Sequence, residues 1–172
     1  MIPSLYIGIL VALAGLSLMD PALLAYAQVK GDHAELARLR SKAEDAMAND
    51  DPDGAAQLMG RAALLAAQMA KRQDGFSAQV SKGNEALFRS QEHTYRAMAL
   101  FRRAGGQLPA SSGVCGSLAL ARTTLGHALE PGRTPPTVPP GSRLIEDAKE
   151  LQESADNWNT VIESMIAEYQ CP

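Results

Sequence analysis

Runs of alternating Val, Ile or Thr are missing from this 172-residue chain, and aromatic residues make up only 5% of it. Strands draw on both classes, so the composition argues against a β-rich fold, while abundant Ala, Leu and Met favour helix. A charge excess is missing too. Sixteen Lys and Arg against 19 Asp and Glu leave a net charge of −3, which supplies no electrostatic footprint for nucleic acid or an anionic membrane surface. No H-E-x-x-H, C-x-x-C or C-x-x-C-H pattern occurs, so the motifs support neither catalytic zinc nor covalently attached haem. There are only two cysteines, Cys115 and Cys171.

What is present begins at the N-terminus. Leu5 to Met19 is an unbroken run of apolar and small residues, followed by Asp20-Pro21 and then by Ala25-Tyr26-Ala27. The A-x-A spacing is that of a signal-peptidase site, and the apolar run is shorter than the roughly 20 residues that a bilayer-spanning helix needs. Cleavage after Ala27 is expected, with residues 28–172 left as a mature periplasmic or secreted part of one-domain size. No Lys or Arg precedes the apolar run, so the usual positive n-region is lacking. Retention of Leu5 to Ala27 as an inner-membrane anchor is therefore the alternative. In an oxidising compartment an even cysteine count becomes a bridge, and two cysteines permit one intramolecular pair, Cys115 with Cys171.

Beyond Ala27 the pattern is helical throughout. Asp32 followed by Glu35 resembles a capping box, and Leu36, Leu39, Ala43, Ala46 and Met47 repeat at helical spacing, which predicts a first helix over 33–48. Asp51 and Pro52 can start a second, whose stripe of Ala55, Met59, Ala62, Leu65, Ala66 and Met69 runs to about 73. The two form an αα-hairpin. A third helix is expected over 77–104 and a shorter fourth over 114–129, with Ser111 or Ser112 as its cap and Cys115 in its first turn. Glu130 to Gly141 holds five prolines, so 130–141 reads as an extended linker that joins neither neighbouring helix.

The last helix carries the most regular pattern. Leu144, Ala148, Leu151, Ala155, Trp158, Ile162, Met165 and Tyr169 alternate spacings of four and three, a heptad seam. A Cys115–Cys171 pair requires the far end of this helix to lie at the start of the fourth, so the two run antiparallel. The seam has two readings. It packs inside its own bundle, or Leu151, Trp158, Ile162, Met165 and Tyr169 form a partner-binding face that also permits oligomers.

Candidate chemistry is sparse. His33, His93 and His127 read as surface or capping side chains. Met47, Met59, Met69, Met98 and Met165 fall on apolar faces, where core filling explains them better than haem ligation. Ser112-Gly113-Val114-Cys115-Gly116-Ser117 resembles a nucleophile turn at a helix start, but no base partner accompanies it; a small redox protein or enzyme using Cys115 is the runner-up to a structural bridge. Asp50, Asp51 and Asp53 have turn chemistry rather than calcium-loop spacing. No catalytic, metal or cofactor residue is assigned.

Leu108-Pro109, then Val114-Cys115-Gly116-Ser117-Leu118-Ala119-Leu120-Ala121-Arg122, within residues 76–129, resembles secreted helical components of conjugative type IV secretion systems. The resemblance implies a non-enzymatic envelope or pilus-associated assembly protein and carries over no functional residue. The 34–73 hairpin echoes one tetratricopeptide repeat, without a following period or the aromatic positions of that repeat. The expectation is thus an all-α bundle of about five helices, exported, without a cofactor, acting on a protein partner in the cell envelope. A membrane-anchored coiled-coil spacer of the spanin kind is the alternative if the N-terminal segment is retained.

Overall fold

The computed structural model describes residues 21–130, 138, 139 and 141–172, with side chains from residue 30 onward. The apolar run before Asp20 and most of the proline-rich segment lie outside the described residues. Among the described residues there are five helices: α1 (Pro21–Ala48), α2 (Pro52–Arg72), α3 (Gly75–Arg103), α4 (Ser112–Ala128) and α5 (Arg143–Glu168). The protein is an all-α bundle. The chain divides into one unit ending at Ala34 and another from Glu35 to Pro172, and the bundle described below belongs to the second.

α1 begins a dozen residues ahead of the expected start, with Pro21 at its first position, where the missing N–H costs nothing. Asp32 therefore lies inside the helix, and Glu35 serves no capping box. Its carboxylate instead accepts from Arg38 at 2.6 Å, one turn on, and that hydrogen bond holds its pKa below the ordinary value. Asp50 ends the hairpin's first arm in the left-handed region at φ 58°, one of two non-glycine residues there among the described residues.

The start of α2 is fastened twice. Asp51 Oδ1 accepts from the Gly54 N–H at 2.8 Å, and Pro52 occupies the first turn. A Cβ on Gly54 would stand 2.1 Å from Asp51 Oδ2, so glycine is needed for the cap to close. Asp51→Ala is expected to lower stability by about 1 kcal/mol in urea unfolding. Gly54→Ala should cost a similar amount in the native chain yet little in the Asp51→Ala background, because both changes remove one hydrogen bond.

Two charged contacts tie this turn to the far end of α3. Arg102 bonds both the Asp50 carbonyl and, at 2.8 Å, its carboxylate; Arg103 meets Asp53 at 2.6 Å. α2 and α3 consequently run antiparallel. Their contact is lined with alanine: Ala55, Ala62, Ala63 and Ala66 are fully covered, packing with Leu36, Leu39 and Ala43 of α1 and with Phe88 and Tyr95 of α3. Side chains this small let helix axes approach closely.

α4 folds back along α3. Ala97 meets Val114 and Leu118 at one end, while Ala86 and Leu87 meet Leu125 and Ala128 at the other. Between them Ser90 Oγ donates to the Ala121 carbonyl at 2.8 Å, which places a satisfied hydroxyl inside the helix–helix contact. Ser111 occupies the cap position of α4 without a side-chain capping bond, whereas Ser142 does cap α5, accepting from Leu144 N–H at 3.3 Å.

Candidate functional site

The element that stands out is α5 with its attachment. Its seam faces the groove between α3 and α4 along its whole length. Leu144 and Ala148 sit with Phe76 and Val80; Leu151, Ala155 and Ile162 with Ala86, Leu87, Ala121 and Leu125; Met165 and Tyr169 with Ala97, Val114 and Leu118. The order shows that α5 runs antiparallel to α4. Of the seam residues, Leu151, Ile162, Met165 and Tyr169 are buried, and Trp158 is half-buried, bridging the cluster under α1 and α2 and the one under α4. Its indole meets Tyr95 edge to face, with centroids 5.6 Å apart and planes at 87°. Val161, one residue off the seam, is 43% exposed.

Three contacts fasten the C-terminal end of α5. Cys115, in the first turn of α4, and Cys171 stand at disulfide distance, with Cα atoms 5.4 Å apart. The Ala110 N–H donates to the Tyr169 carbonyl at 2.9 Å. The Tyr169 ring stacks on Phe101 with centroids 4.1 Å apart, and burial raises its phenol pKa. The hydrogen bond and the stack could not be read from the sequence, because each joins a loop or helix end to a residue at least 59 positions away. A half-buried Cys171 Sγ and Cys115 Sγ complete this clamp.

The one buried charged group among the described residues has partners on its own helix. Glu92, buried on α3, lies between Arg89 at 2.9 Å and Arg96 at 2.5 Å, both part-exposed. α2 passes over it at Gly60, where a Cβ would approach the carboxylate to 3.1 Å. Arg89, Glu92 and Arg96 have the i−3 and i+4 spacing of a helical triad, a signal present in the sequence. Replacing both arginines with alanine should cost about 2 kcal/mol, since a buried carboxylate loses its partners while the exposed guanidinium groups limit the loss. Adding Glu92→Gln should recover most of it; chemical denaturation of the three chains checks this.

The histidines do not converge. His33 is exposed, His127 bonds Glu130 at 3.0 Å on the surface, and His93 is half-buried on α3, where burial lowers its pKa. Among the described residues no three His, Cys, Asp or Glu side chains are grouped to hold a metal ion. A half-open cleft of about 270 Å³ lies by the α1–α2 turn, and Asp50, Asp53, Arg102 and Arg103 line it while pairing with one another. Among the described residues no helix is long and apolar enough to cross a membrane.

Fold and clamp together define a class: an all-α bundle whose last helix is stapled back onto the fourth. No known protein family, curated protein or solved structure matches the chain.

Proposed function

We propose that the chain is exported to an oxidising compartment and acts there by protein contact, as a non-enzymatic assembly or binding component of the cell envelope. The observation that carries export is the Cys115–Cys171 pair. Its two members come from distant parts of the sequence and meet at bonding geometry, and such pairs persist where the surroundings are oxidising. The apolar run from Leu5 to Met19, with Ala25-Tyr26-Ala27 after it, is the candidate export signal. A part in a conjugative or secretion apparatus agrees with the likeness of residues 76–129 to secreted components of such systems. Protein contact is what that likeness implies; Leu64, Leu108 and Leu120, each about half-exposed, are scattered over α2, the α3–α4 loop and α4.

A second reading has its own observation. α1 begins at Pro21 and includes Ala25-Tyr26-Ala27, so the expected cleavage site falls within a helix, which agrees with retention of the segment as an anchor. Fusing alkaline phosphatase to the C-terminus separates export from cytoplasmic residence, because that reporter folds only where its disulfides form. Phosphatase activity released by osmotic shock supports the cleaved, exported form. Activity held in the membrane fraction supports the anchor, and an inactive fusion contradicts both.

A further inference from the structure

Two non-glycine residues among the described ones hold a left-handed backbone, Asp50 at φ 58° and Gln170 at φ 54°. Aspartate tolerates this region, and Asp50 stands in a turn. Glutamine has no such preference, so Gln170 carries a backbone cost that something else must offset. Its side chain is exposed, so burial does not hold it there. It stands between the last seam residue, Tyr169, and Cys171.

What this conformation achieves follows from helix geometry. Cys171 comes nine positions after Ile162, and a helix continued that far would carry it about 180° from the face that Ile162 turns toward α3 and α4. Its thiol would then point away from Cys115. Instead the helix ends in a Schellman motif. The Gln170 N–H donates to the Ala167 carbonyl at 3.1 Å and the Cys171 N–H to the Ile166 carbonyl at 3.0 Å, which folds Cys171 back over the last turn. The residues on either side are already fixed. Tyr169 is held by its stack on Phe101 and by the Ala110 N–H, while the Cys115 N–H bonds the Ser111 carbonyl at the start of α4. The backbone of Gln170 is left to decide whether the two sulfurs meet.

We propose that Gln170 is the positioning residue for the Cys115–Cys171 bond, and that its left-handed backbone sets how readily the pair closes, a redox-sensitive device at the end of α5. The two capping hydrogen bonds lie at a helix terminus, where the last turn frays. With the bond open, Gln170 relaxes toward ordinary backbone; closing the bond returns it to the left-handed region, and the cost of that return enters the closing equilibrium. With oxidised glutathione as the oxidant, one cysteine thiolate attacks a glutathione sulfur and expels glutathione thiolate. The other cysteine then attacks the mixed disulfide, closes the protein bond and expels a second glutathione; two protons leave the protein thiols and two reduced glutathiones form. This inference rests on the bond invoked above for export.

The full chain and its Gln170→Gly, Gln170→Asn and Gln170→Val variants are equilibrated in mixtures of reduced and oxidised glutathione, quenched with acid and alkylated. Mass spectrometry then reads the closed fraction. Glycine and asparagine adopt the left-handed region more readily than glutamine, so both should raise the closing constant, glycine by about fivefold. Valine, for which that region is an outlier, should lower it by about tenfold. Asparagine falling with valine overturns the proposal. Equal constants in all four chains overturn it too, while leaving the bond, and with it the export reading, in place. A native chain that never closes removes the bond itself and both readings together. Urea unfolding with Cys115 and Cys171 both replaced by alanine is the second measurement. There Gln170→Val should leave the midpoint unchanged, because nothing obliges the backbone to stay left-handed. A loss as large as in the native background would make Gln170 a helix cap alone and overturn the positioning role.

Discussion

Replacing Cys115 and Cys171 together with alanine is expected to lower the stability of the bundle by about 4 kcal/mol, the chain-entropy value for a closed loop of this size. The two residues are 56 positions apart, so the bond removes the unfolded conformations in which α4 and α5 drift separately. For a chain of this length the loss corresponds to a fall in Tm of roughly 10 °C. The effect has an internal control: a dithiol reductant should lower the Tm of the native protein by about as much and leave the double variant unchanged. Equal Tm values for the native protein with and without reductant would mean that α5 is held by its seam alone.

The second large effect tests the seam. Ile162 is fully covered, between α3 and α4, while its neighbour Val161 is 43% exposed. Ile162→Ala removes buried methyl groups and leaves a cavity in a tightly packed groove, so a loss of about 3–4 kcal/mol is expected. Val161→Ala should stay within about 0.5 kcal/mol, the usual range for a surface change. The contrast between adjacent residues measures the register of α5 directly. Urea unfolding of the two variants suffices, and losses of equal size would show that the seam does not face the groove.

Much of this architecture is readable in the residues themselves. The alternation of three and four from Leu144 to Tyr169 marks one apolar face on a helix; the stripe from Ala55 to Met69 marks a close helix contact, and two cysteines leave one pairing. Periodicity identifies a face and says nothing of what covers it, so the seam was compatible with its own bundle or with another chain. The structure places Leu151, Ile162, Met165 and Tyr169 against α3 and α4. The start of α1 differs from the sequence expectation for a different reason. A capping box is a local pattern, and Asp32 with Glu35 occurs inside a helix whose first residue is Pro21. There Glu35 finds Arg38 instead of a free backbone N–H.

The polar interior was hardest to foresee. Ser90, Glu92 and Thr94 are buried on α3, a helix crowded by neighbours, so its polar positions are covered as well as its apolar ones. Ser90 then depends on the Ala121 carbonyl of α4, a partner 31 positions away. Thr94 bonds the Ser90 carbonyl one turn back, and Glu92 keeps its two arginines within the same helix. Local bonds of the second kind can be inferred from spacing, while the first kind needs the fold.

We propose that this bundle is built outside the cytoplasm and closed by one bond. Intact mass of the protein recovered from the envelope fraction, with and without reduction and alkylation, tests it most directly. The account predicts a chain that begins at Gln28, takes up no alkyl group until it is reduced, and then takes up one on each of Cys115 and Cys171. A full-length mass that is alkylated on both cysteines without reduction would contradict it.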